Sequence, residues 1–235
     1  MFTMNYLKEN NNCKKRVIID FAGKAGVGKT YVKNKILEHI CSCYNCIDLS
    51  DARIKAIDCF YFIWNAPGVL LASLALVFSN VPETYWGMFR ALKKWLAFQI
   101  QLQKVSRTDC GVAVIDESFL GWLGWIRNRT LKKITFERMP FSMKKRFFYP
   151  DITVFVKADY DLCETRRTLR DIERKRKRRF KRAKYLGLQS LNYLEKDLRS
   201  AEDEGFIKVV IYENKGKFDN SILKEIEIML NTKFA

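Results

Sequence analysis

An α/β fold with a parallel sheet covered by helices on both faces follows from three observations. Apolar runs at 16–22, 46–49, 111–118, 150–156 and 207–212 alternate with helical stretches at 31–40, 162–184, 191–204 and 220–230, and strands alternating with helices indicate a parallel sheet. The first run passes directly into Gly23-Lys24-Ala25-Gly26-Val27-Gly28-Lys29-Thr30, the full G-x-x-x-x-G-K-T spacing of a phosphate-binding loop. The run at 111–118 ends abruptly in Asp116 and Glu117, and ligands of such sheets sit at the carboxyl ends of the strands. The chain therefore reads as a three-layer P-loop NTPase fold. It is expected to be one domain over 1–235, with a helical insertion at 50–108 and a basic lid at 162–184.

The first element carries its own chemistry. After a β-branched strand, the glycines let backbone N–H groups turn inward toward a polyphosphate, Lys29 supplies charge, and Thr30 offers a hydroxyl to Mg²⁺. The helix expected from Tyr31 would point its positive end at the same phosphates. The backbone from Gly23 to Thr30 is the nucleotide site expected from these residues. Asp116 or Glu117 at the end of the third strand can hold Mg²⁺ or accept a proton from an attacking hydroxyl; an Asp116 that only caps the following turn is the alternative.

Composition bounds the rest. The chain has 235 residues, 48% of them apolar, and a formal net charge of +17, so it can bury one sizeable core and favours anionic partners. Nucleotides and an anionic acceptor substrate come first, an anionic membrane surface next, and nucleic acid last. Seven cysteines at irregular spacing fit a reducing compartment, and the polar residues before Arg16 have no apolar core for a signal peptide. A cytoplasmic protein is expected, with the inner membrane face as a candidate location. His39, Cys41, Cys43 and Cys46 supply four potential zinc ligands, but tight sites usually pair two separated knuckles. With one histidine in the chain, any general base is a carboxylate or belongs to the substrate.

The run from Arg166 to Lys184 carries twelve Lys and Arg residues, a density that repels itself unless anions are near. Arg166, Arg170 and Arg174 repeat every four residues, so they share one helical face and can converge on phosphate oxygens. Phosphoryl transfer spreads charge over those oxygens, and an arginine segment stabilises it. For Lys175 to Lys184 a solvated or nucleic-acid-facing surface is the competing reading.

In this order the parts resemble the thymidylate kinase and deoxynucleoside kinase group of P-loop kinases. The resemblance rests on Gly23 to Thr30, on the strand ending Asp116-Glu-Ser118, and on Pro150-Asp-Ile-Thr-Val-Phe-Val followed by Asp161-Leu-Cys-Glu-Thr-Arg166-x-x-x-Arg170. It covers about two thirds of the chain, and implies an ATP- and Mg²⁺-dependent kinase. Lys29 and the loop backbone would bind the donor phosphates, and Thr30 and Asp116 would hold Mg²⁺. Glu117 or Asp48 would orient or deprotonate the acceptor, and Arg166 and Arg170 would close over the transferred group. Asn214 to Phe218, including Lys215, would lie beside the base. Two departures stand out: Glu117 occupies the place of a usual arginine, and the acidic-Pro pair after the second strand is absent, leaving Asp48 or Asp51 to stand in.

The segment from Ser50 to Thr108 shows no acceptor-base pocket of that family. Cys59 to Pro82 lacks any charged residue, but Asn65-Ala-Pro-Gly68 interrupts it, short of the roughly twenty continuous apolar residues that a membrane span needs. Tyr85, Phe89, Leu92, Leu96 and Ile100 fall on one helical face, with Arg90, Lys93, Lys94 and Lys104 elsewhere. Core helices covering the sheet are one reading. A lipid-facing surface is the other, suggested by Trp64, Trp86, Trp95, Trp122 and Trp125 among Lys and Arg. By analogy with envelope polysaccharide functions, the expected acceptor is a sugar hydroxyl of a glycan or glycolipid, with a nucleoside or nucleotide as alternative. A nucleotide-regulated protein that binds nucleic acid or membrane is a third reading.

Overall fold

A computed structural model describes residues 16–49, 54–78, 84–105, 111–116, 119–127, 134–173 and 184–234. Five parallel strands form one sheet in the order β2-β3-β1-β4-β5: β1 Val17–Ala22, β2 Cys46–Asp48, β3 Val112–Ile115, β4 Ile152–Lys157 and β5 Lys208–Glu213. In register, Ile19 lies between Val114 of β3 and Ile152 of β4. Every predicted strand is present, each within a few residues of its expected ends.

Period-two alternation divides the strand side chains between two layers. On one side Ile19, Phe21, Val114, Val154 and Val210 pack against α1 (Lys29–Ile40) and α9 (Ser221–Phe234), through Val32, Ile36, Ile226 and Leu230. On the other, Ala113, Ile115 and Phe155 meet the larger helical layer. That layer contains α4 (Tyr85–Val105), α5 (Phe119–Arg127) and α8 (Lys184–Asp203), with α2 (Ala56–Asn65) and α3 (Pro67–Phe78) stacked outside. The strands are thus apolar on both faces, as a sheet with helices on each side requires. A short α6 (Phe141–Lys144) precedes β4, and α7 (Tyr160–Glu173) follows it.

The helical insertion at 50–108 is α2 to α4. Its interior is Trp95, fully buried, with ring centroids 4.9 Å from Phe119 and 5.1 Å from Phe147. The indole N–H donates to Ser73 Oγ at 3.0 Å, and that hydroxyl donates to Val69 O at 2.7 Å. Lys104 on α4 pairs with Asp58 on α2 at 3.0 Å. These polar ties fix the rotation of α4 against α2 and α3.

That rotation divides the face on which Tyr85, Phe89, Leu92, Leu96 and Ile100 were expected to lie together. Leu92 and Ile100 are buried, but Tyr85 and Phe89 point outward, and the buried line runs through Met88, Ala91, Trp95, Phe98 and Leu102. A helix packed between α3 and α5 buries a face wider than one stripe. Trp95, read as one of a lipid-facing set, is the centre of the core. Trp122 is also buried, whereas Trp64 and Trp86 are exposed.

No single helix among the described residues is long and apolar enough to cross a membrane. α2 and α3 meet at 94° across Ala66, where Pro67 opens the new helix. His39, Cys41, Cys43 and Cys46, the four potential zinc ligands, do not converge, since no cluster of three or more potential metal-binding side chains occurs among the described residues. His39 instead pairs with Glu227 at 2.7 Å, and Cys41 and Cys43 are exposed. α5 was not anticipated from the sequence; its N-terminal N–H, on Phe119, donates to the buried Asp20 of β1 at 3.0 Å.

Candidate phosphate-binding cleft and acceptor pocket

β1 ends at Ala22, and the chain turns through Gly23 to Gly28 before α1 begins at Lys29. Gly26 and Gly28 both have φ near +90°, and a Cβ on either would collide, with the Cys163 carbonyl and the Asn214 amide respectively. Glycine is therefore required twice, for its backbone angles and for the close approach of α7 and of the loop after β5. Lys29, the first residue of α1, donates through Nζ to Gly23 O at 2.8 Å, so its ammonium lies over the loop's mouth.

A cavity of about 570 Å³ opens above this loop. It is lined by Gly23, Lys24, Ala25, Gly26, Gly28, Lys29 and Thr30, by Asp116 beyond β3, by Arg166 and Arg170 of α7, and by Phe21, Gly121, Trp122 and Leu194. Loop, carboxylate and arginines come from three separate segments of sequence and share one space. Backbone N–H groups at a helix N-terminus, two lysines and two arginines suit that space to an anion. The hydroxyl of Thr30 and the carboxylate of Asp116 are hard oxygen donors of the kind Mg²⁺ takes, and Mg²⁺ completes its shell with phosphate oxygens and water. The residues present fit that ion.

α7 is fastened to the loop. Lys24 Nζ pairs with Glu164 at 2.7 Å and stands 3.1 Å from the ring centre of Tyr160. Asp159 caps the helix, accepting from the N–H groups of Asp161 and Leu162 at 2.9 and 3.1 Å. Arg166 and Arg170, one turn apart, consequently face the loop. Residues 174–183 of the basic lid lie outside the described residues.

A second cavity of about 200 Å³ adjoins the first and shares Asp116 and Trp122 with it. Its other walls are Lys94, Ala97, Phe98 and Gln101 of α4, and Ile115 of β3. Lys94 Nζ lies 5.0 Å from the Trp122 ring centre, a cation–π geometry. The middle segment, which read as lacking an acceptor pocket, thus supplies one wall of a small aromatic-lined chamber. Nothing among the described residues supports the sugar acceptor expected from the sequence.

Several residues support this site through contacts that the sequence does not show, among them Asn214, expected beside the base. Asn214 is buried after β5; its amide donates to Val27 O at 2.7 Å, and its carbonyl accepts from Gly216 N–H at 3.1 Å. It braces the phosphate loop from the side. Arg127 and Asp197 form a buried ion pair that ties α5 to α8, and Asp197 also accepts from Phe136 N–H at 2.8 Å. Removal from water pushes the Asp197 pKa up, while Arg127 pulls it down; burial dominates. Asp20 lies fully buried beneath the loop, where desolvation outweighs hydrogen bonds from Thr153 and Phe119 and raises its pKa to about 7. A lone carboxylate in the run Val-Ile-Ile-Asp-Phe-Ala was the available signal.

Two expected site residues lie elsewhere. Asp48 ends β2, but its carboxylate pairs with Lys33 of α1 at 2.8 Å and lines neither cavity. It neutralises a buried lysine, which leaves it unsuited to deprotonate an acceptor. Lys215 is exposed, pairs with Glu213 at 3.4 Å and also lines neither cavity. Glu117 and Asp51 lie outside the described residues.

The strand order and the phosphate loop define the chain as a P-loop protein of the three-layer α/β class. No family model and no curated protein sequence matches it. In overall fold it is similar to a thymidylate kinase from Ehrlichia chaffeensis, with 14% identity, a TM-score of 0.44, and 92% of this chain and 98% of that one covered. It is similar also to deoxyadenosine kinase from M. mycoides with bound dCTP, with 13% identity, a TM-score of 0.44, and 92% and 100% covered.

Proposed function

We propose that the protein is an ATP- and Mg²⁺-dependent phosphotransferase that acts on a nucleoside or nucleotide. The observation that carries this reading is the convergence of Arg166, Arg170 and Asp116 on the phosphate loop, in a cleft that continues into the chamber under α4. The donor polyphosphate would lie along the loop, held by backbone N–H groups from Gly23 to Thr30 and by Lys29. Mg²⁺ held by Thr30 and Asp116 would neutralise charge on the donor phosphates. The arginines of α7 would face the transferring phosphoryl group, where three equatorial oxygens gather charge.

The chamber supports the choice of acceptor by its size and its walls. Trp122 and Phe98 offer flat apolar faces to a planar ring, Gln101 offers both a donor and an acceptor, and Lys94 offers positive charge. Asp116 lines both cavities, so a Mg²⁺ ion on its carboxylate would stand between donor phosphates and acceptor. Steady-state kinetics test this assignment. Gln101→Ala and Lys94→Gln, whose side chains line the chamber but not the cavity over the loop, should raise the acceptor KM at least about tenfold and leave the KM for ATP within a factor of two to three. Equal effects on both constants would remove the chamber from the acceptor role.

A further inference from the structure

The three helices outside the sheet expose the wrong side chains for a surface that meets only water. On α2, Ile57, Phe60, Tyr61 and Trp64 follow the i, i+3, i+4, i+7 pattern of one helical face, and that face points outward, with Phe60 73% and Trp64 86% exposed. Among the described residues, more than half of the exposed large apolar side chains lie between 57 and 89. The outward residues of α3 are apolar too, Leu71 and Phe78 among them. Monomeric soluble proteins seldom present this much contiguous sequence of exposed apolar side chains without a partner.

Charge selects the partner. No charged residue occurs from Cys59 to Pro82, and the outward face of α4 changes along its length from Tyr85, Trp86 and Phe89 to Arg90 and Lys93. Trp86 stacks on Phe89 at 6.1 Å between centroids, and the Arg90 guanidinium lies 5.2 Å from the Trp86 ring centre. Aromatic rings beside Lys and Arg suit the headgroup boundary of an anionic bilayer, where the rings enter the acyl margin and the cations meet lipid phosphates. A second copy of the chain meeting this face by two-fold symmetry would bring one basic rim toward another, in a protein of net charge +17.

We infer that α2, α3 and the first half of α4 form a docking surface for an anionic phospholipid membrane. The surface lies on the bilayer rather than crossing it: α2 and α3 have 10 and 12 residues, meet at 94°, and bury their inner faces through Phe62, Ala72 and Leu76. At about 1.5 Å per residue neither helix reaches across a hydrocarbon core of about 30 Å. Lys104–Asp58 and Trp95–Ser73 hold the three helices together, so the surface is preformed.

Flotation with vesicles tests this, because it reads binding apart from catalysis. The full chain should float with phosphatidylcholine vesicles containing about a third phosphatidylglycerol, much less with phosphatidylcholine alone, and less as salt rises. Phe60→Ser with Trp64→Ser should weaken binding at least about tenfold. Arg90→Gln with Lys93→Gln should weaken it about fivefold per charge and flatten the salt dependence. All four side chains are exposed, and an unchanged melting temperature would verify that each variant folds. No flotation of the wild type, or flotation indifferent to both double variants, would overturn the inference. So would a lipid-free dimer that Phe60→Ser with Trp64→Ser converts to monomer, since a second copy would then be the occupant.

Discussion

Asp20 shows how one side chain reports on the ground beneath the phosphate loop. Its carboxyl titrates near 7 in the folded protein against 3.8 ordinarily, so between those values the folded state retains a proton that the unfolded state releases. Stability from this group is therefore full below about pH 4, falls as pH rises toward 7, and is level above that, a change of up to about 4 kcal/mol. Asp20→Asn cannot ionise, and the variant should gain stability relative to wild type as pH goes from 5 to 8; denaturant melts at both pH values measure the difference. Asn214 makes a second prediction at this scale. Its amide bond to Val27 O holds the loop's backbone, so Asn214→Ala should cost about 1–3 kcal/mol and weaken ATP binding, read by calorimetry. Asp20 stands out in the sequence only as a lone carboxylate in an apolar run, and Asn214 only as part of a loop expected beside the base; neither shows there the contact it makes. A glycine-rich loop shows its spacing directly, whereas the group that braces it from the far end of β5 is brought there only by the sheet order.

At the scale of elements, local pattern was most informative where burial is symmetric. The strands were legible because parallel strands covered on both faces are continuous apolar runs, as Val112–Ile115 and Ile152–Lys157 are. The rotation of α4 was not, because a mostly apolar helix offers several plausible buried faces and the decision falls to a tertiary hydrogen bond. Trp95 supplies that bond, and it makes a prediction. Ser73→Ala would leave a buried indole N–H without its acceptor and should destabilise the protein by about 1–3 kcal/mol. Trp95→Phe with Ser73→Ala removes both partners, and a double-mutant cycle in urea should show the two losses to be strongly non-additive. α5 escaped notice for a related reason: its start is defined by Asp20 and its end by Arg127 pairing with Asp197, partners distant in sequence.

Across the whole molecule, the basic residues discussed above fall into two groups, one at the cleft and one on the exposed helices. Arg166 and Arg170 face the phosphate loop, whereas Arg90 and Lys93 face outward on a separate layer. The two sets should separate experimentally. Arg170→Ala should lower kcat by about a hundredfold or more, with ATP affinity changed less than tenfold, and should leave vesicle flotation unaltered. The four-residue repeat of Arg166 and Arg170 is legible in the sequence, and both residues line the cavity over the loop. The sequence misplaced Asp48, since nothing local reveals that Lys33, buried on α1, lies opposite and takes up its charge.

The most direct test of the central claim is transfer of the terminal phosphate of labelled ATP, in the presence of Mg²⁺, to a pool of nucleosides and nucleoside monophosphates, with Lys29→Ala run beside the wild type. The account predicts labelled product from the wild type and a loss of at least about a hundredfold in the variant, with its melting temperature retained. Wild-type ATP binding without transfer to any acceptor in the pool, or turnover unchanged by Lys29→Ala, would contradict it.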